Sequence, residues 1–253
     1  MNPIHAWLSV SIILSASLAM VLHGPIAQLP HYHEFADTRV WLGVPYAADV
    51  LSNAGFALVG LWALWRLWPM RRHPALAVAW PGYATFFVAL ALTGLGSGYY
   101  HLAPDNARLV WDRLPIALAC AGLLAAVRAE THPGSAIRPW LVGLAGFAVA
   151  SVAWWYHGEL QGQGDLRPYL LIQVLPLVLI PLWQAGAGVP RADRVAFAAA
   201  LFCYVLAKAA EWFDHPILVA TGVFSGHSLK HGLATLAAAL LAARLWRRVG
   251  GGQ

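Results

Sequence analysis

Long apolar segments constrain the fold of this chain more than any other feature of its sequence. About 20 consecutive apolar residues are long enough to cross a lipid bilayer as a helix, and a helix satisfies its own backbone hydrogen bonds there. Eight such segments follow one another, at about residues 5–23, 50–68, 79–101, 109–128, 138–157, 167–184, 194–213 and 222–246. We therefore predict an all-α fold, a polytopic bundle of membrane helices.

The overall composition argues against a soluble domain. Of the 253 residues, 60% are hydrophobic and 11% are charged, whereas a soluble domain carries about 25% charged residues. The two cysteines, Cys120 and Cys203, lie inside apolar segments, where we expect small hydrophobic residues and no disulfide framework. Residues 1–253 are expected to form a single transmembrane domain.

Basic residues collect in alternate loops, and this pattern predicts the orientation in the membrane. The loops after the second, fourth, sixth and eighth segments contain ten of the sixteen basic residues and two acidic ones. Because positively charged loops stay on the cytoplasmic side, both termini are expected to be cytoplasmic. The basic net charge then follows from topology, and we expect no nucleic-acid partner. The ten basic residues are Arg66, Arg71, Arg72, Arg128, Arg138, Arg191, Arg194, Arg244, Arg247 and Arg248, and the two acids are Glu130 and Asp193.

Three of the eleven histidines are expected at one depth in the membrane. His227 and His231 are four residues apart, so their rings project from the same helix face. His101 ends the third segment, which runs outward, and His227 lies near the start of the eighth, which runs inward. Ionisable residues in membrane segments are functional-site candidates, and three protein ligands with an open fourth position are typical of catalytic zinc. We predict that His101, His227 and His231 bind Zn²⁺ towards the non-cytoplasmic face.

Two further polar residues are expected beside these histidines. Ser97 precedes His101 by one helical turn, and Asp112 lies in the first turns of the fourth segment, after the short loop 102–108. Taken singly, Ser97 can be a small helix-packing residue and Asp112 a carboxylate favoured by the helix dipole. Together with the histidines they predict a catalytic site in which Asp112 and Ser97 act next to the metal.

These motifs resemble those of the alkaline ceramidases. Ser97-Gly-Tyr-Tyr-His101, Asp112-Arg-Leu-Pro and His227-Ser-Leu-Lys-His231 follow one another in the order of that family. More widely, they are similar to the superfamily shared with the adiponectin-type and progestin receptors. The resemblance implies a seven-helix core at about residues 50–246, preceded by one extra N-terminal helix at about 5–23. It also implies a zinc-dependent lipid amidase that cleaves a ceramide-like N-acyl lipid to a fatty acid and an amine.

The resemblance also raises the question of calcium. Alkaline ceramidases of the human type bind Ca²⁺ through an acidic segment before the first core helix. Glu34, Asp37 and Asp49 lie in the corresponding region of this chain, but they do not align one for one with that segment. A Ca²⁺ site at these residues and a plain acidic loop both stay open as interpretations.

The residues alone also leave other functions open. The zinc can be structural in a receptor-like or scaffold protein, the imidazoles can bind haem, and Asp and His side chains can relay protons in a transporter. Against a transporter, the polar residues gather near one face and form no path across the bilayer. The Ala-, Arg- and Trp-rich composition is typical of a bacterial protein, so we expect the inner membrane and a membrane lipid as the substrate.

Overall fold

A computed structural model describes residues 3–250 of the chain, with side chains from residue 7 onward; residues 1–2 and 251–253 of the predicted domain lie outside it. Apart from an isolated bridge between Trp41 and Val44, the regular structure of the described residues is helical, which confirms the predicted all-α class. The helices are α1 (Pro3–His23), α2 (Ala47–Ser52), α3 (Ala54–Leu67), α4 (Trp80–Leu102), α5 (Asn106–Thr131), α6 (Ile137–Leu160), α7 (Arg167–Gly186), α8 (Arg191–Trp212), α9 (Asp214–Thr221) and α10 (Gly226–Gly250).

The predicted segments coincide with these helices, with two differences. The second segment is divided at Asn53 into α2 and α3. The eighth begins at Gly226 and not at residue 222, because the residues before it form the separate short helix α9. Gly222 ends α9 with a φ of 65°, a left-handed conformation that glycine adopts at little cost. The chain therefore turns at Gly222 before α10 starts.

Within the described part of the chain, five helices are long and apolar enough to span a membrane. They are α5, α6, α7, α8 and the combined stretch Ala47–Leu67 of α2 and α3. The helices α4 and α10 have 23 and 25 residues, but glycine, serine, histidine and charged residues lower their hydropathy. Several of these polar residues are buried, so they face the protein and avoid lipid. The helices are consistent with a multi-pass integral membrane protein.

Successive long helices run between two ends of the bundle. At one end, which we call the histidine end, His101 at the end of α4 meets His227 at the start of α10. The opposite end, where α10 finishes with Arg248, is called the arginine end. Near the start of α1, Ser9 accepts a hydrogen bond from Trp183 in the last turns of α7. The first helix therefore begins, and the last helix ends, at the arginine end.

The close approach of α4 and α5 brings two predicted site residues together. A Cβ atom at Gly96 of α4 would collide with the backbone carbonyl oxygen of Trp111 in α5, so only glycine permits this separation of the two helices. The residues that follow these two in the chain are Ser97 and Asp112. Their contact is thus a consequence of glycine at position 96.

Buried charges join four helices at the arginine end. The guanidinium of Arg244 in α10 donates to Tyr83 of α4 at 2.7 Å and pairs with Glu130 of α5 at 2.7 Å and Asp193 of α8 at 3.0 Å. Arg248 pairs with the same two carboxylates. Each buried charge has a partner of opposite sign, which is the condition under which buried charges are tolerated.

Candidate metal centre

Three buried histidine side chains converge at the histidine end, as the sequence predicts. Nε2 of His101 and Nε2 of His227 are 3.2 Å apart. The ring centroid of His231 lies 4.7 Å from that of His227 and 5.3 Å from that of His101. Within residues 3–250, these are the His, Cys, Asp or Glu side chains grouped closely enough for a metal ion, with one potential ligand atom from each all within 4.8 Å of one another. The three side chains can hold a metal ion.

One pair of these nitrogens has the separation expected of two ligands on a tetrahedral metal ion such as zinc. Two nitrogen ligands at about 2.0–2.1 Å from zinc lie about 3.3 Å from each other in tetrahedral geometry, and the Nε2 atoms of His101 and His227 are 3.2 Å apart. Imidazole nitrogen is also among the ligands that zinc prefers. Three such ligands leave one position of the tetrahedron for water or substrate.

The third ring is oriented by a hydrogen bond that crosses the bundle. Nδ1 of His231 lies 2.8 Å from Oγ of Ser52 in α2. The Ser52 hydroxyl donates to the backbone carbonyl of Asp49 at 3.0 Å, so its oxygen is left to accept the Nδ1 proton of His231. This assignment of the proton follows from the hydrogen-bond network. It leaves the Nε2 lone pair of His231 free, which is the form that binds a metal.

The start of α10 is anchored so that its first histidine is fixed. The carboxylate of Asp214 in α9 accepts hydrogen bonds from the backbone N–H of His227 at 2.7 Å and of Ala36 at 2.9 Å. Ser225 caps the helix, since its Oγ accepts a hydrogen bond from the backbone N–H of Ser228 at 3.0 Å. These contacts tie α9, α10 and the segment before α2 to one another around the metal centre.

The segment 24–46 covers the metal centre from the histidine end. The ring of Phe35 lies 4.6 Å, centroid to centroid, from the rings of both His101 and His227. Asp37 in the same segment is buried and forms an ion pair of 2.6 Å with Arg39. Hydrogen bonding from Arg39 holds the pKa of Asp37 below its ordinary value. Arg39 also donates to the carbonyl of Val223. This contact with the turn between α9 and α10 holds the segment over the site.

The two predicted catalytic residues meet beside the histidines. Ser97 is buried, and it lies beside Asp112 because the two residues follow Gly96 and Trp111 where α4 and α5 meet. Both residues line the same cavity as His231. The next residue along α5, Arg113, is buried with its guanidinium carbon 4.0 Å from the ring centroid of Trp155. The carboxylate and the guanidinium thus have separate surroundings, and Asp112 is the one that faces the cavity.

A largely apolar cavity of about 490 Å³ extends from this site. It reaches from Lys208 near the end of α8 to Arg194 near its start. These residues are fourteen positions apart, which corresponds to about 21 Å along a helix. The helices α7 and α8 both line the cavity, and they pack less closely against each other than α8 packs against α10. The apolar wall includes Phe86, Leu90, Ile116, Leu123, Leu177 and Leu201.

The three acids considered for calcium have separate partners. Glu34 is exposed, and its Oε1 lies 2.8 Å from Nδ1 of His31. Both carboxylate oxygens of Asp37 accept hydrogen bonds from Arg39. Asp49 is buried in α2, where its Oδ1 accepts hydrogen bonds from the hydroxyls of Ser228 at 2.6 Å and of Ser225 at 3.2 Å. The structure therefore gives Asp49 a supporting role at the start of α10, next to the metal centre.

Several residues around the site carried no usable signal in the sequence. Ser52 and Phe35 approach the histidines from segments far away in the chain, and neither belongs to a motif. Lys208 and Lys230 did carry a signal, because they are the two lysines of the chain. Both line the cavity and both bind the Glu211 carboxylate, at 2.7 and 2.8 Å.

No family model, no curated protein and no solved structure matches this chain.

Proposed function

We propose that this protein is an intramembrane zinc-dependent hydrolase that cleaves the amide bond of an N-acyl lipid. One observation carries the proposal: three buried histidines suited to a metal adjoin Ser97 and Asp112 on the wall of a long apolar cavity. A metal centre, a proton-transfer group and a lipid-sized cavity are what such a reaction requires. The likeness of the three motifs to the alkaline ceramidases supports the same activity.

Each polar residue has a distinct task in the proposed reaction. Zinc bound by three neutral imidazoles supplies Lewis acidity and lowers the pKa of water to about 7. Asp112 accepts the proton of the attacking water and passes it to the leaving nitrogen. The Ser97 hydroxyl orients the Asp112 carboxylate and can turn to donate to the developing oxyanion. The Ser52 hydroxyl keeps His231 in the tautomer that binds the metal.

The cavity supports an acyl-chain lipid as the substrate. Its walls are mainly aliphatic and aromatic, and its length of about 21 Å along α8 matches a long hydrocarbon chain. Phe35 closes the site at the histidine end, so entry sideways from the bilayer, between α7 and α8, is the more open route. We also propose that the histidine end faces the non-cytoplasmic side of a bacterial inner membrane, because the arginine end carries the excess of basic residues.

The geometry favours zinc over haem. Three histidine side chains converge on one point, which matches the three protein ligands of a catalytic zinc, whereas a haem iron would be held by one or two protein ligands. Zinc as a purely structural ion in a receptor-like protein is the remaining rival, and turnover separates it from an enzyme.

The test combines metal content with release of fatty acid. Purified protein should contain about one zinc per chain and release fatty acid from at least one member of a panel of ceramides, N-acyl amino acids and N-acyl ethanolamines. Asp112→Asn should keep the zinc and lose roughly 10²- to 10⁴-fold in turnover, because it removes a proton acceptor and no ligand. His227→Ala combined with His231→Ala should lose both the zinc and the activity.

His157→Ala is the matched control, since His157 is an exposed histidine at the same end of the bundle. It should keep zinc and activity. Zinc-loaded protein that cleaves no member of the panel would exclude the hydrolase and favour the receptor-like alternative. Wild-type zinc content in the double histidine variant would exclude the metal centre.

A further inference from the structure

The only two lysines of the chain lie together in the wall of the candidate active-site cavity. Of the sixteen basic residues, the other fourteen are arginines. Lys208 of α8 and Lys230 of α10 bind opposite oxygens of the same carboxylate, Glu211, at 2.7 and 2.8 Å. Two ammonium groups therefore share one carboxylate, and the cluster of three side chains keeps a net charge of +1.

One of these lysines reaches the metal centre itself. Nζ of Lys230 is 3.0 Å from Nε2 of His227, which is the atom that faces His101. An ammonium group has three N–H donors. Glu211 and His227 engage two of them, which leaves one for an acceptor beside the metal centre.

An interfacial role does not account for this arrangement. A lysine near a helix end usually extends its ammonium towards the membrane surface, and Lys208, with about half of its side chain exposed, is compatible with that. Lys230 points instead towards a buried histidine, with only 21% of its side chain exposed. A cation turned into an apolar cavity is costly unless an anion accompanies it. Glu211 compensates one of the two charges. Asp112 lines the same cavity but, within the described residues, forms no ion pair with either lysine, so one ammonium charge is left for a ligand.

We propose that the lipid cleaved here carries a carboxylate next to the scissile amide, as in an N-acyl amino acid, and that Lys208 and Lys230 bind it. This inference rests on the proposed function and adds the class of head group. A single carboxylate matches the net charge of +1, and it lies two bonds from the amide nitrogen, beside the metal centre. The acyl chain occupies the apolar part of the cavity.

The proposed reaction is a hydrolysis that needs no partner other than water. Water adds its oxygen to the amide carbonyl, and the bond between that carbon and the nitrogen breaks. Both water protons end on the leaving nitrogen: the first arrives through Asp112 as the bond breaks, and the second when the new carboxylic acid ionises and the amine is protonated. The products at neutral pH are a fatty acid carboxylate and a zwitterionic amino acid, so that the total charge of −1 on the substrate is conserved.

Binding to zinc-free protein tests the head group separately from catalysis. After chelation, the protein is titrated with N-oleoylglycine and with N-oleoylethanolamine, and binding is followed by tryptophan fluorescence. The two lipids share one acyl chain and differ in a carboxylate against a hydroxyl. We expect N-oleoylglycine to bind roughly tenfold more tightly, the contribution typical of a charge-assisted hydrogen bond.

Charge variants sharpen this test. Lys208→Gln should weaken the binding of N-oleoylglycine roughly tenfold, and Glu211→Gln should strengthen it, because the first removes and the second adds one net positive charge. Neither change should alter the binding of N-oleoylethanolamine. Arg191→Gln is the matched control, since it removes one exposed positive charge from the opposite end of the same helix.

The outcomes separate this inference from the proposed function. Equal affinity of the wild-type protein for the two lipids, or no measurable binding of N-oleoylglycine, would overturn the inference. Cleavage of the ethanolamide by zinc-loaded protein would in that case leave the proposed function standing. A clear preference for the carboxylate with no cleavage of any amide would instead support the anion site and exclude the hydrolase.

Discussion

A single hydroxyl group determines the orientation and the tautomer of one of the three histidine rings. Oγ of Ser52 holds Nδ1 of His231 at 2.8 Å, although the two residues are 179 positions apart in the chain. Partners of this kind fix the tautomer and the orientation of metal-binding histidines. Ser52 lies in α2 and does not touch the cavity wall formed by the catalytic pair, so its effect is expected on the metal and not on the substrate.

We predict that Ser52→Ala weakens zinc binding and keeps the fold. Loss of such a partner typically lowers metal affinity by about 10- to 100-fold, and competition with a chromogenic chelator measures the change. Ser151→Ala is the control, since Ser151 is a buried serine of α6 that donates to a backbone carbonyl far from the histidines. An affinity equal to that of the wild type would show that packing alone orients His231.

At the scale of helices, polar residues distinguish the two elements that carry the histidines. The helices α4 and α10 are as long as the others but less apolar, and their polar side chains are turned towards neighbouring helices. Arg244 of α10 is another polar side chain turned inward, and at the arginine end it contacts α4, α5 and α8. One buried guanidinium therefore sets the relative position of four helices whose other ends surround the candidate metal centre.

Arg244→Leu should destabilise the bundle strongly. Removing this guanidinium leaves the carboxylates of Glu130 and Asp193 short of a partner, and breaking a buried ion pair in this way costs about 3–5 kcal/mol. Unfolding in a mild detergent titrated with a denaturing one measures the loss. Arg247→Leu is the control, because Arg247 is exposed on the same helix and its removal should change the free energy of unfolding little. Equal effects of the two variants would contradict a structural role for the ion cluster.

At the scale of the whole molecule, the orientation in the membrane decides which compartment the metal centre faces. The predicted orientation depends on the charges at the arginine end, and some of these charges form ion pairs with one another. Both acids at the arginine end, Glu130 and Asp193, are paired with Arg244 and Arg248. The loops at the arginine end contain no further acid that could offset the other eight basic residues. This end therefore keeps its excess of positive charge.

A cysteine-labelling experiment tests the predicted orientation. In a background with Cys120→Ala and Cys203→Ala, Gln161→Cys should react with a membrane-impermeant maleimide in intact cells, because it lies in the exposed loop at the histidine end. Arg72→Cys, in the loop between α3 and α4, should react only after permeabilisation. The opposite pattern would place the metal centre on the cytoplasmic side.

The sequence by itself determined the class of fold, the approximate bounds of the helices and the identity of the three histidines. Each depends on a local property of the chain. Apolar length shows which segments suit a bilayer, and a spacing of four residues places His227 and His231 on one face of a helix whatever surrounds it. The order of segments then brings His101 to the same depth.

Only the tertiary structure decided which side chains support and complete the site. The Ser52 hydroxyl, the ring of Phe35 and the ammonium of Lys230 reach the histidines because of how the helices are rotated and how closely they approach. That approach depends on interhelical contacts such as Gly96 against the Trp111 carbonyl, which no local pattern records. The same reason applies to Asp49. Its position in the chain associated it with calcium, and the packing of α2 against α10 places it in contact with the serines that begin α10.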